Sequence, residues 1–481
     1  MNKRIVAICM LAAMLLGMLG MAGCQGKPTA TPNFVVPEGG FDPTKEVTIT
    51  FGHTMGADSV AIVKKHIEEF NKIYPNIKVE LQSKGGWSDI CSAVTNDINA
   101  GLQPNIVYCY PDHVAMYNLS KSVVTLDNLI ASDLAVGDTG EILGLTDAQK
   151  ADFIEGYYNE GTVFGDGLMY TMPFSKSTEI LYYDADFFAA HPELKVPTTW
   201  DELWETCRKI KEIDKTCIPL GYDSTDNWFI TMAEQMGVGY TDASKSGEDR
   251  FQFDNEQMRT FMKQLREYFD AGLFTTQDIY GSYTSNLFKN QDPTKARSYL
   301  CIGSSGGARH QAPKDDKTNE YAFNVGIAPI PQFDANNKKA ISQGPSVCIM
   351  KGGNITDDQI MASWLLVKFL CTDVAFQAEF SMDSGYMPVL KSVSENKGFA
   401  NFLNSANGTN YLKAMAIKVG IQERDTYFTS DVFNGSAVAR TQVGALLNKV
   451  IGTKLENGLT IDKLIDDAFT EAMDECIFQA G

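Results

Sequence analysis

From residue 47 onward the chain alternates short segments with a strand pattern and longer segments with a helix pattern. Residues 47–51 alternate apolar and polar positions, a helix with one apolar face follows, and residues 77–81 and 105–110 repeat the strand pattern. Repeated strand–helix–strand units predict an α/β protein with mainly parallel sheets flanked by helices. Ligands of such sheets gather at the carboxyl ends of the strands.

A polar centre inside an otherwise apolar segment, at residues 172–184, predicts a strand that crosses between two lobes. Apolar residues flank Ser175-Lys176-Ser177-Thr178 on both sides. The two ends can pack in different cores, and we expect the polar middle to face a cleft between them. A chain of 481 residues is also too long for one hydrophobic core. The pattern and the length together predict two lobes joined by a hinge.

The N-terminal residues predict export from the cytoplasm. Lys3-Arg4 precede an apolar run at residues 5–20, and the run ends in Met21-Ala22-Gly23-Cys24. This pattern is typical of a signal peptide over residues 1–24. The ending resembles a bacterial lipobox, in which Cys24 is lipidated; the alternative is an ordinary secretory signal with an incidental cysteine. Residues 25–42, rich in proline and glycine, predict a flexible tether.

Charge and cysteine usage narrow the class of protein further. The chain has 41 basic and 60 acidic residues and a formal net charge of -19, which argues against non-specific binding of nucleic acid or polyanions. The cysteines after residue 24 are scattered and form no CxxC pair, so free buried thiols are expected. The sequence leaves open whether Cys207 and Cys217 form a disulfide.

The strongest catalytic pattern is Gly303-Ser304-Ser305-Gly306-Gly307, which matches G-x-S-x-G. A hydrolase that used Ser305 would need a histidine well downstream, but His310, on the adjoining turn, is the only histidine after it. The turn is better explained by backbone N–H groups that face a polar or anionic ligand group. No zinc-ligand spacing, P-loop or dinucleotide fingerprint occurs. The sequence therefore predicts a protein that is not an enzyme and has no cofactor or metal.

Several segments resemble family 1 extracellular solute-binding proteins, the receptors of ABC importers for carbohydrates and related solutes. The resemblance runs from about Val47 to the C-terminus and is nearest to members that bind glycerol-3-phosphate and glycerophosphodiesters. It is carried by the lipobox and by Ile49-Thr50-Phe51-Gly52-His53, Pro173-Phe174-Ser175-Lys176-Ser177-Thr178, Ser304-Ser305-Gly306, Gly344-Pro345-Ser346 and Ser384-Gly385-Tyr386-Met387-Pro388.

The resemblance implies a two-lobed, periplasmic-binding-protein-like fold of type II. It places residues 43–175 and 302–347 in the first lobe and residues 176–301 and 348–481 in the second. The implied function is capture of a carbohydrate or glycerol-phosphate-type solute by hinge closure and delivery to a permease. The implied protein is a monomer, tethered at the extracellular face of the cytoplasmic membrane.

The expected ligand-binding residues are Trp87, Asp112, Ser177, Trp228, Ser305, Gly344, Tyr386 and Arg440. Trp87 stands where the related proteins have a stacking tyrosine, and Arg440 stands at the position of a phosphate-binding arginine. Their glycerol-binding glutamate falls near Asp112, so that acid is shifted or lost. These departures keep a neutral oligosaccharide open as the ligand. The packing alternatives are that Trp87 and Trp228 lie in cores and that Arg440 forms an ordinary salt bridge.

Overall fold

The computed structural model describes residues 30–314 and 320–480. The predicted signal peptide and Cys24 lie outside the described residues. The strands are β1 (Val47–His53), β2 (Ile77–Ser83), β3 (Ile106–Cys109), β4 (Met172–Pro173), β5 (Glu179–Asp184), β6 (Leu220–Tyr222), β7 (Phe274–Thr276), β8 (Leu300–Ser304), β9 (Val325–Pro329), β10 (Ala340–Ile341), β11 (Ser346–Ile349) and β12 (Tyr427–Phe428).

The helices connect and cover these strands. They are α1 (Ala57–Ile73), α2 (Trp87–Ala100), α3 (Pro111–Asn118), α4 (Asp127–Ala131), α5 (Asp147–Asp152), α6 (Glu155–Asn159), α7 (Ala185–Ala190), α8 (Trp200–Ile213), α9 (Thr225–Met236), α10 (Glu256–Asp270), α11 (Gln277–Tyr280), α12 (Ser285–Phe288), α13 (Asp357–Thr372), α14 (Val374–Ser384), α15 (Lys397–Ser405), α16 (Gly408–Glu423), α17 (Ser436–Gly452) and α18 (Ile461–Ala480). Short 3-10 turns include Ser305–Gln311, directly after β8.

Two five-stranded sheets form the centres of the two lobes, in the orders β2-β1-β3-β11-β4 and β7-β6-β8-β5-β9. In the first sheet β1 is parallel to β2 and β3, while β11 runs antiparallel to β3 and β4. In the second sheet β6 is parallel to β7 and β8, while β5 runs antiparallel to β8 and β9. The predicted α/β architecture with two lobes is confirmed, and each sheet contains an antiparallel strand that the chain supplies by returning from the other lobe.

The chain passes between the lobes near the cleft at residues 174–178 and again at residues 342–345. The two passages run side by side, because Ser177 and Gln343 exchange backbone hydrogen bonds of 2.9 and 2.8 Å. The small sheet of β10 and β12 lies beside them. These two passages therefore form a paired structure within the hinge. The chain crosses once more between α14, which packs in the first core, and α17, which packs in the second.

Strand pairing corrects the lobe boundaries expected for residues 302–347 and 348–481. β9 pairs with β5, so it belongs to the second lobe and not to the first. Helices α13 and α14, expected in the second lobe, pack in the same core as β1 and β11. The assignment fails because the chain crosses the hinge after β10, and helix periodicity does not show which sheet a helix covers.

Within the tether expected at residues 25–42, the described part beginning at residue 30 packs on the first lobe, which corrects that expectation. The side chains of Phe34 and Phe41 are buried against the first lobe. The Asn33 side chain donates to the Val123 carbonyl at 2.9 Å, and the Asn128 side chain donates to the Phe34 carbonyl at 2.8 Å. Burial of two aromatic rings offsets the entropy cost of ordering this segment.

Two further features of the described residues concern membrane spans and thiols. No single helix within residues 30–314 and 320–480 is long and apolar enough to cross a membrane, and the α13–α14 pair that passes by length and composition is bent by 70°. Cys207 and Cys217 are both buried free thiols.

Candidate ligand-binding cleft

The cleft between the lobes contains two adjoining cavities of about 490 and 530 Å³. Both are lined by Trp87 and Tyr110 from the first lobe and by Asp223 and Asn227 from the second. One cavity extends toward Arg440 and the other toward Tyr386. Residues from both sheets therefore surround one continuous space at the strand ends.

An aromatic platform forms the first lobe's side of this space. Trp87 begins α2, and its ring stacks on Tyr110 with centroids 4.4 Å apart and planes 21° from parallel. Tyr108 stacks behind Trp87 at 5.3 Å. Gly86 before the helix and the β3 end place these rings at the rim, where one face can receive an apolar ligand surface.

Arg440 lies in the cleft but is already paired with carboxylates. Its Nε donates to Asp112 Oδ2 at 2.8 Å, and its Nη1 donates to Asp226 Oδ2 at 3.2 Å and to the Asn227 side-chain oxygen at 2.5 Å. A buried guanidinium that binds a phosphate bidentately is expected to have no carboxylate partner in the protein. The charge of this guanidinium is instead offset by two carboxylates of the protein.

The Arg440–Asp112 contact joins the two lobes, since Arg440 lies on α17 of the second lobe and Asp112 on α3 of the first. Burial raises the pKa of Asp112, but the charge of Arg440 and the hydrogen bonds outweigh burial and lower it from the ordinary value of 3.8. A carboxyl with a depressed pKa stabilises the state in which its pKa is depressed. This stabilisation is fully present at pH values above the ordinary pKa of the group and is lost as the pH falls through the depressed pKa. The contact therefore persists through neutral pH and is lost only below pH 3.8.

We expect Asp112→Asn to favour a more open arrangement of the lobes. Loss of a charge-assisted hydrogen bond, about 1.5–3 kcal/mol, shifts an open–closed equilibrium about 10–100-fold. The measurement is the radius of gyration by small-angle X-ray scattering without ligand at pH 7. Asp226→Asn is the matched control, because Asp226 binds the same guanidinium from Arg440's own lobe. An equal expansion in both variants would contradict the bridging role of Asp112.

Gly344 lines the cleft where the second passage crosses between the lobes. Its backbone has φ +95°, and a Cβ there would lie 2.7 Å from the Ser175 carbonyl oxygen and 2.8 Å from the Lys176 Cα. Only glycine allows the two passages to approach this closely.

Three expected ligand residues are not exposed to the cleft. Trp228 is fully buried in the second lobe and stacks on Tyr222 at 4.2 Å, so its expected place in the cleft is corrected to the core. Ser305 is also fully buried, and its Oγ accepts from the Thr178 backbone N–H at 3.1 Å. Ser177 is 2% exposed and pairs through its backbone with Gln343.

The polar centre of the crossing strand serves the hinge and does not face the cleft. Lys176 is fully buried and pairs with Glu160, which is 3% exposed. Its Nζ also donates to Ser346 Oγ at 3.1 Å. The Thr178 hydroxyl donates to the Ile341 carbonyl at 2.9 Å. These hydrogen bonds explain why an apolar segment has polar residues at its middle.

The second cavity ends in a group of basic residues near Tyr386. The Tyr386 ring packs over Gly306, and burial raises its pKa to about 12. Arg309, Lys289 and His310 line this end of the cleft. Among residues 30–314 and 320–480, Arg309 has no carboxylate within ion-pair distance, and it reaches toward Gly56 at the start of α1.

Carboxylates from both lobes also line the two cavities. The carboxylates along the two cavities are Asp112, Glu160, Glu179, Asp223, Asp226, Asp278 and Asp431. Sequence reasoning missed most of them, although Asp223 and Asp226 directly follow a strand and could have been found as strand-end residues. No group of three His, Cys, Asp or Glu side chains in the described part of the chain is arranged to hold a metal ion.

Two α/β lobes around a cleft with an aromatic platform and polar walls define a solute-binding protein. Residues 65–404 match the family described as bacterial extracellular solute-binding protein, and the chain belongs to this family. The sn-glycerol-3-phosphate-binding periplasmic protein UgpB of Escherichia coli (strain K12) is 26% identical over 369 residues, which cover 73% of this chain and 77% of UgpB.

Solved structures show the same fold. UgpB from Mycobacterium tuberculosis in complex with glycerophosphocholine superposes with a TM-score of 0.67 at 17% identity, covering 90% of this chain and 98% of that one. Maltose-bound T. maritima MalE3 superposes with a TM-score of 0.65 at 16% identity, covering 89% of this chain and 99% of that one. The fold is thus shared by a protein that binds a zwitterionic phosphodiester and a protein that binds an uncharged sugar.

Proposed function

We propose that this protein is the solute receptor of an ABC importer, which captures a carbohydrate or glycerol-phosphate-type solute between its lobes and delivers it to a permease. The stacked Trp87–Tyr110 pair at the rim of the cleft carries the proposal. Aromatic faces bind the apolar faces of sugar rings, while carboxylates and amides such as Asp223 and Asn227 bind hydroxyl groups. A ligand that contacts both lobes biases the open–closed equilibrium by its better fit to the closed state.

At the Arg440 end of the cleft, a carbohydrate fits better than a phosphate does. An added anion there would compete with Asp112 and Asp226 for the guanidinium. The names of the curated relatives favour glycerol phosphate as the second candidate. In that case Arg309, with no carboxylate partner among the described residues, is the better anion-binding group.

The proposal includes lipid attachment at Cys24, a position at the extracellular face of the membrane, and a monomeric receptor without catalysis. A hydrolase that used Ser305 is disfavoured because that hydroxyl is buried and accepts a backbone hydrogen bond. His310 is the only histidine after Ser305 in the sequence. Its backbone carbonyl accepts a hydrogen bond from Lys289 Nζ at 3.1 Å.

A thermal-shift screen of the chain from residue 25 onward tests the proposal. The panel contains glucose, maltose, longer maltodextrins, glycerol-3-phosphate and glycerophosphocholine. A ligand at a hundred times its Kd stabilises the protein by about 2.7 kcal/mol, which is readily seen. Shifts with sugars alone would support the carbohydrate, and shifts with phosphates alone would support the second candidate. If no compound of an extended panel of sugars and phosphates shifts the melting temperature, this result would contradict the proposal that the protein is a solute receptor.

We expect Trp87→Ala to weaken binding of a sugar that the screen identifies. Loss of a stacking side chain at the centre of a binding site costs about 2 kcal/mol, which is about 30-fold in Kd. Isothermal titration calorimetry measures the change. Trp228→Phe is the control, because Trp228 lies in the core: it should lower the melting temperature and leave Kd unchanged. A Kd that responds to Trp228 and not to Trp87 would place the ligand elsewhere.

A further inference from the structure

Glu179, at the start of β5, is a buried carboxyl at the edge of the cleft whose hydrogen bonding is incomplete. The residue is 1% exposed and lines the cavity that extends toward Tyr386. Its Oε2 accepts from the Tyr222 hydroxyl at 2.6 Å. Its Oε1 has no hydrogen-bond partner among the described residues. A buried acceptor without a donor is unfavourable, so a ligand that supplies the donor is expected to bind about 5- to 150-fold more tightly.

The charged groups that face Glu179 are themselves acidic. Asp226, in the first turn of α9, and Asp223, directly after β6, add negative charge near it, and Tyr222 contacts it from β6. Asp223 Oδ1 accepts from the Thr284 backbone N–H and hydroxyl, both at 2.7 Å, and has no cation within ion-pair distance among the described residues. Asp226 shares Arg440 with Asp112. Negative charge at this wall therefore exceeds positive charge.

We propose that Glu179 and Asp223 form a subsite for a protonated amine of the solute, so that the receptor prefers an amino sugar or another amine-bearing polyol. This inference rests on the proposed function and names its ligand class. An ammonium group supplies both the hydrogen-bond donor that Glu179 Oε1 lacks and the positive charge that the wall lacks. A neutral hydroxyl would supply the donor alone, and a phosphate would supply neither.

The protonation of Glu179 gives the subsite a distinctive pH dependence. Burial raises the pKa of Glu179 to about 8, and the charges of Asp226 and Asp223 act in the same direction, whereas the neighbouring Tyr222 and Asn227 side chains lower it. An ammonium binds the ionised carboxylate, so binding requires loss of this proton below pH 8. Linkage then raises the affinity by up to about tenfold per pH unit between pH 6 and 7. A neutral sugar has no charge with which to favour the ionised form.

The test compares glucosamine and its β-1,4 oligomers with their N-acetylated forms, which keep the ring and remove the charge. Calorimetry and thermal shift are run on the chain from residue 25 onward at pH 6 and pH 7. A charge-assisted hydrogen bond in a desolvated site predicts tighter binding of the amine by about 10–100-fold. Glu179→Gln keeps an acceptor for Tyr222, and it should reduce the preference for the amine to within about threefold.

Asp223→Asn keeps the oxygen that accepts from Thr284, and it should also lower the preference for the amine over its N-acetylated form. This variant replaces Glu179→Gln in the test if Glu179→Gln fails to fold. Asp184→Asn is the matched control, because Asp184 is a buried carboxyl at the far end of the same strand, paired with Arg297. An amine that binds no tighter than its N-acetyl form, or an unchanged preference in both cleft variants, would overturn the subsite. If neutral sugars or glycerol phosphate bind while amines do not, only this inference fails; if no sugar, amine or phosphate binds, the proposed function fails with it.

Discussion

Gly344→Ala should destabilise the protein by about 2–5 kcal/mol, because it combines backbone strain with a steric clash. The left-handed φ of +95° penalises any side chain, and the new Cβ would lie 2.7 Å from the Ser175 carbonyl oxygen and 2.9 Å from the Ser177 backbone nitrogen. Both neighbours are backbone atoms of the first passage, so they can move away only if the paired passages separate. Urea denaturation followed by circular dichroism measures the change in unfolding free energy.

Gly458→Ala is the control that separates the two contributions. Gly458 has φ +80°, and a Cβ at this position would have no heavy atom of the described residues within 4 Å, so its substitution adds strain without a clash. It should cost about 1 kcal/mol. If the two variants lose the same stability, the close approach of the passages at Gly344 contributes nothing.

Lys176→Met should cost about 3–5 kcal/mol, because it leaves the buried Glu160 carboxylate without its cation. Glu160→Gln should cost a comparable amount by leaving the Lys176 ammonium uncompensated. Lys176 also donates to Ser346 Oγ, so the pair fixes the first passage against β11. Chemical denaturation of the single variants tests both values.

The double variant Lys176→Met/Glu160→Met provides the decisive comparison. Replacement of a whole buried ion pair by apolar side chains is often neutral, so the double variant should be more stable than either single one. Lys463→Met is the surface control: Lys463 pairs with Asp467 on the exposed side of α18, and its loss should cost less than about 1 kcal/mol. Strictly additive losses at Lys176 and Glu160 would show that the two charges do not stabilise each other.

Gly344 and the Lys176–Glu160 pair, where the largest losses of stability are expected, lie at the hinge. The side chains expected to bind the ligand lie on the two lobes. Gly344, Lys176 and Glu160 hold the passages together. The aromatic platform and the acidic wall face each other across the cleft. Variants at the hinge are therefore expected to change stability, and variants such as Trp87→Ala are expected to change affinity.

The sequence determined the elements that carry the fold. Thr199 and Glu202, three positions apart, form a capping box at the start of α8, with Thr199 Oγ1 accepting from the Glu202 N–H. The strands at residues 47–51 and 77–81 also occur as β1 and β2. These features depend on residues a few positions apart, so local periodicity and capping chemistry are sufficient to predict them.

The tertiary structure decided which polar and aromatic residues reach the cleft. Trp228 has polar neighbours in sequence, yet Tyr222 and the second core cover it. Arg440 has no carboxylate near it in sequence, yet Asp112 and Asp226, more than two hundred positions away, offset its charge. Burial and charge compensation depend on segments that meet only after folding, and no local pattern records them. The sequence alone thus determined a two-lobed solute-binding protein, and the fold decided the charge and shape of the space that receives the solute.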